Sequence, residues 1–95
     1  MSDIISLGGN IELFGAGWID PASMIVLKKI VGNYVREFSQ KTGVQKLSVS
    51  FSKQDSSINI ISALIITNNS HSSECSHSNL FICLDESLKN IGKEL

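Results

Sequence analysis

Asp20-Pro-Ala-Ser-Met-Ile-Val-Leu-Lys-Lys-Ile-Val-Gly-Asn-Tyr-Val-Arg-Glu-Phe-Ser-Gln-Lys-Thr-Gly43 reads as a helix with a start, a stop and two unlike faces. Asp20 is a strong N-cap, because its carboxylate can accept from the orphan N–H groups of the first turn. Pro21 at the first helical position gives up no needed donor and presets the helical angle. Trp18 and Ile19 just before the cap suit a hydrophobic staple. Gly43 is the expected left-handed residue past the end. At about 100° per residue, Met24, Val26, Leu27, Ile30, Val31, Tyr34, Val35 and Phe38 cover one half of the helix. Lys28, Lys29, Gly32, Asn33, Arg36, Glu37 and Gln40 cover the other.

Working outward, the remaining segments read mostly as strands. Ile11–Phe14 is a short strand, broken by Gly15-Ala16-Gly17. Ahead of it, Ile4, Ile5 and Leu7 fit the start of a strand and Gly8-Gly9-Asn10 a turn. Residues 1–10 are thus either a flexible arm or an extension of the first strand. Leu47, Val49 and Phe51 alternate with Ser48, Ser50 and Ser52, which is the pattern of a half-buried strand. A turn at Gln54–Ser57 leads to Ile58–Thr67, which is β-branched and apolar on both faces in part, as in a central strand. Asn68-Asn69-Ser70 reads as a turn. Residues 71–77 are polar and fit an edge strand or a loop. Ser78 or Asn79 then caps a last helix whose Leu80, Phe81, Leu84, Leu88, Ile91 and Leu95 share one side.

The expected fold is therefore one α+β domain spanning residues 1–95. Its order is β-α-β-β-β-α: a two-layer sandwich with a mostly antiparallel sheet and both helices on one face. The other face of such a sheet must be solvated or covered by a partner.

Bulk properties narrow the function. Ninety-five residues make one modest domain. Hydrophobic residues are 42% and charged residues 18% of the chain. The mean hydropathy of +0.14 is slightly apolar for so small a protein. Surface apolar residues covered by a partner or a second copy would explain it, and so would a well-filled core. The net charge of −1 argues against a generally basic nucleic-acid binder. Its distribution is uneven, however. Residues 28–53 hold six of the eight Lys and Arg against one acid, Glu37, a local charge of +5. The other two cations face eight acids, leaving −6 elsewhere. No signal-peptide pattern or membrane-length apolar run is visible, so a cytoplasmic protein with reduced Cys75 and Cys83 is expected.

The chemistry-bearing motifs are few. The serines have no nucleophile elbow around them. Asp85 and Glu86 are helix neighbours diverging by about 100°, unlike a catalytic carboxylate pair. There is no phosphate-binding loop and no dinucleotide fingerprint. A non-catalytic protein without a cofactor is the expectation. His71, Cys75, His77 and Cys83 offer zinc-compatible atoms at an unusual spacing. The competing reading is a polar edge strand with Cys75 turned to the core, and no metal site is assigned.

The face of Lys28, Lys29, Gly32, Asn33, Arg36 and Gln40 is the candidate site. Cations suit phosphate, amides add donors, and Gly32 permits close backbone approach. A glycine inside a helix costs about 1 kcal/mol relative to alanine, so it calls for a reason. The plain alternative is a solvated face, with Gly32 tolerated through local crowding. Ile25 on the same face suits a protein partner better than RNA. Ile82 is similarly stranded beside Lys89 and Lys93.

One resemblance bears on these readings. His71-Ser-Ser-Glu-Cys-Ser-His77, followed by Ser78-Asn79 and Leu80-Phe-Ile-Cys-Leu-Asp85, resembles the last strand and last helix of the ribosome hibernation promoting factor family, the S30AE domain. The strand and helix order and the length are similar over most of the chain. The resemblance lies in apolar positions, with no residue that performs chemistry. It implies a domain that binds rRNA of the small ribosomal subunit and acts by occupancy, through basic residues on both helices. Here the last helix sets Asp85, Glu86 and Glu94 against Lys89 and Lys93, and only the first helix keeps a cationic face. The alternative function is a protein-interaction or homodimeric module, resting on the low charge, Ile25, Ile82 and the uncovered sheet face.

Overall fold

A computed structural model describes residues 4–7, 10–66 and 69–95. The elements are β1 (Ile4–Ser6), β2 (Ile11–Phe14), α1 (Pro21–Lys41), β3 (Val44–Gln54), β4 (Ser57–Ile66), β5 (Asn69–His77) and α2 (Leu80–Lys93). The five strands form one sheet in the order β1-β2-β3-β4-β5. Only β2 and β3 run parallel, and the other three pairs are antiparallel. The architecture is the expected α+β sandwich, with one strand more than the expected order. Ile4–Ser6 is a separate edge strand, tied by Leu7 N–H donating to Ile11 O at 2.8 Å. The expected strand start at Ile4 and Ile5 is thus present, as an antiparallel neighbour of β2 and not as an extension of it. Gly8, Gly9 and Asn68 of the expected turns and Thr67 of the expected strand lie outside the described residues; Asn69 and Ser70, expected in a turn, belong to β5.

Both helices cover one face of the sheet. Leu27, Val31, Val35 and Phe38 of α1 meet Leu13, Leu47 and Val49 from the strands and Leu84, Leu88 and Ile91 of α2 in one core. Helix α1 packs against β3 and α2, while α2 packs against β4 and β5. Full burial of a Leu or Val side chain stabilises by roughly 1.5–3 kcal/mol, so this seam between the layers supplies most of the driving force. Val26 departs from expectation. It is 46% exposed, because the sheet and α2 cover a narrower arc of α1 than its apolar half.

Local chemistry sets the boundaries. Asp20 caps α1 as expected: its Oδ2 accepts from Ser23 N–H at 3.0 Å, and these hydrogen bonds hold its carboxyl below the usual range. Ile19 just before the cap joins the core, and Met24 packs against it. At the other end Gly43 is not left-handed. Thr42 terminates the helix in extended backbone, its N–H still reaching Phe38 O, and the chain runs straight into β3. An extended exit needs no reversal, so no left-handed residue is required. The glycine that is required is Gly15, at φ +70, where an added Cβ would lie 2.5 Å from Phe51 O. The β3–β4 turn instead uses left-handed Asp55, a conformation Asp tolerates better than most residues.

Candidate nucleic-acid interface

The six candidate residues of α1 come out together. Lys28, Lys29, Gly32, Asn33, Arg36 and Gln40 are all exposed, on a helix anchored by its opposite side. Among the described residues, no ion pair or side-chain hydrogen bond engages any of the six. Space above Gly32 is open: a Cβ there would meet nothing within 4 Å. The crowding expected around Gly32 is therefore absent, and no internal contact accounts for a residue that weakens the helix. Ile25 lies beside this face and is 59% exposed.

Two cations of the basic stretch belong elsewhere. Lys46 pairs with Glu12 across β2 and β3. Lys53 sits over the Trp18 ring at 5.6 Å, a cation–π contact. What remains of the stretch is concentrated on α1.

Helix α2 contributes more than its composition suggests. Its acids sit on the flanks and hold internal partners. The Tyr34 hydroxyl donates to the Asp85 carboxylate, joining the two helices. Burial, followed by that carboxylate, raises the Tyr34 pKa well above its ordinary value. Glu86 accepts from Cys75 Sγ at 3.6 Å, and Glu94 meets His71 Nδ1 at 2.8 Å. Lys89 and Lys93 lie exposed between those flanks. Lys89 and Lys93 line a groove of about 270 Å³ with Tyr34, Glu37, Phe38, Lys41 and Gly92. This groove continues the cationic surface from α1 onto α2. Sequence reading missed it, because counting charges along α2 hides which side each occupies. The helical spacing of Lys89 and Lys93, four residues apart and opposite Leu84 and Leu88, was the available signal.

The four zinc-compatible residues do not converge. His71 is taken by Glu94, and His77 Nδ1 accepts from Asn79 N–H at 2.9 Å. Cys83 is buried and Cys75 half-buried, turned to the core as the competing reading has it. Among the described residues, no group of three or more His, Cys, Asp or Glu is placed to hold a metal ion. No helix among them is long and apolar enough to cross a membrane.

The second surface of interest is the sheet face away from the helices. It carries Ile4, Ile61 and Ile65, each more than two-fifths exposed, among a lattice of serines. Ile82 on α2 is also exposed, at 50%.

Neither the family models nor the curated proteins compared with this chain give a match. Function must therefore be argued from the surfaces themselves, since a fold alone does not carry it.

Proposed function

We propose that the protein binds structured RNA, non-catalytically, through the outer surface of its two helices. Ribosomal RNA of the small subunit is the partner that the S30AE resemblance implies. The observation that carries the reading is the set of cations without internal partners on α1, grouped around a glycine with open space above it. Lys28, Lys29 and Arg36 supply charge to phosphate, Asn33 and Gln40 supply donors, and Gly32 lets a sugar-phosphate backbone approach closely. Lys41, Lys89 and Lys93 extend that surface across the groove. Occupancy would block whatever else uses the same RNA.

The test is binding to ribosomal subunits and to isolated rRNA across 50–200 mM salt, the range over which phosphate contacts weaken steeply. Lys29→Glu with Arg36→Glu is expected to weaken binding by about tenfold or more and to lower the salt slope by about 2. A flat salt response, or unchanged affinity in the double variant, removes phosphate contact from the account.

A second reading is self-association through the open sheet face, favoured by exposed Ile61 and Ile65 on a central strand. Sedimentation of wild type against Ile61→Ser with Ile65→Ser separates the two. A dimer abolished by that pair, with RNA affinity absent, favours assembly.

A further inference from the structure

The chain's two cysteines face one another across the β5–α2 contact. Cys75 lies on the edge strand β5, on the row with His71, Ser73 and His77 that is turned toward α2. Cys83 lies in the second turn of α2 and is fully buried. Its Sγ is 3.0 Å from the carbonyl oxygen of Cys75 and 3.7 Å from that of Ile58. This brings one sulfur against the residue that carries the other. The seven residues between them are already folded back: Asn79 caps α2 through Phe81 and Ile82 N–H, and Cys83 N–H donates to Asn79 O at 3.0 Å.

We propose that Cys75 and Cys83 are a reversible redox pair, closing a disulfide that staples the start of α2 to the edge strand when the protein meets a hydroperoxide. The two thiols are unequal. Cys75 is partly exposed and has a proton acceptor at hand, Glu86 Oε2 at 3.6 Å. Cys83 is shielded, and burial, followed by the neighbouring Cys75 thiol, pushes its thiol up to about 12. Cys75 is therefore the thiol an oxidant reaches, and Cys83 the one that resolves it.

In the first step Cys75 sulfur attacks the peroxide, passing its proton to Glu86. An S–O bond forms, the O–O bond breaks, and the leaving hydroxide takes the proton back from Glu86 to depart as water. In the second step Cys83 sulfur attacks the Cys75 sulfenic acid. The S–S bond forms, the S–O bond breaks, and the Cys83 proton departs with the hydroxide as water. Two thiols and one hydrogen peroxide thus give one disulfide and two waters, the sulfurs losing two electrons to the peroxide.

The experiment is intact-mass analysis of the full chain before and after hydrogen peroxide, with chymotryptic mapping under non-reducing conditions. Cleavage after Leu80 or Phe81 separates the two cysteines unless they are linked. Wild type is expected to lose about 2 Da, the two thiol hydrogens, in a form that dithiothreitol reverses. Cys75→Ser is expected to leave Cys83 a free thiol. Cys83→Ser is expected to halt at the Cys75 sulfenic acid, which dimedone traps. Wild type that keeps both thiols, links two copies instead, or oxidises Cys75 further while Cys83 stays free overturns the proposal. Because wild type alone carries these outcomes, poor folding of a variant does not shield it.

Discussion

The two helices lie side by side on the same sheet, yet they use charge in opposite ways. On α1, Lys28, Lys29 and Arg36 have no internal partner among the described residues, while the apolar side, with the Tyr34 hydroxyl at its edge, holds the helix down. On and just past α2, Asp85, Glu86 and Glu94 each hold a neighbour, and Ser87 reaches inward as well. A helix tied through its polar side chains is committed to the fold. A helix tied through one stripe leaves its other face for something outside the molecule. Substitutions of these bonded α2 side chains should therefore change stability, and those on the outer face of α1 should change binding.

The largest expected effect is at the buried pair under α2. Ser87 Oγ donates to Ser62 Oγ at 2.9 Å, and both residues are fully buried. Ser87→Ala should destabilise by about 1–3 kcal/mol in urea unfolding, because the Ser62 hydroxyl is left without its partner. Ser62→Ala combined with Ser87→Ala should recover much of that loss. An additive double variant would mean the pair is not a unit.

Next is the bridge between the helices. Tyr34→Phe removes the hydroxyl from Asp85 and should cost about 1 kcal/mol, less than a fully buried charged bond because the site is partly open. The same bridge sets an alkaline limit. Tyr34 and Cys83 both have folded values raised above their model-compound values of 10.0 and 9.0. Their contribution is fully present below those values and is lost as pH rises past them, because the unfolded chain ionises first. Thermal midpoints should fall above pH 9, and more gently in Tyr34→Phe. A midpoint unchanged through pH 11 would contradict this.

The smallest effect has the opposite sign. Gly32→Ala should stabilise by up to about 1 kcal/mol, since the helix gains propensity and nothing stands in the way of the methyl group. A loss of stability there would show that Gly32 serves the fold, and the contrast between the helices would blur.

Much of the layer arrangement was legible because it rests on local chemistry. Asp20 and Pro21 announced α1, and the Leu47–Phe51 alternation announced β3, although the strand runs from Val44 to Gln54. Asn79, one of two candidate caps, is the one used. What stayed hidden depends on contacts distant in sequence. The strand start at Ile4 was read, but not its antiparallel pairing with β2 as a separate edge strand, and Gly43 stays out of the left-handed region only because β3 continues the line of the chain. The outer face of α1 was legible in full, since helical spacing alone defines it. The groove was not, because it takes the packing of α2 against α1 to bring Lys89 and Lys93 beside Lys41.

The parallel pair β2–β3 carries a consequence for the order of assembly. Every other pairing joins strands that follow one another closely, so each closes a short loop. Ile11 must instead find Leu47 across the whole of α1. Loop closure of that span is costly until α1 has formed and docked. The β3–β4–β5 meander should therefore organise first and the N-terminal strands last. Core substitutions such as Val49→Ala and Ile60→Val should slow folding, whereas Leu13→Ala should mainly speed unfolding.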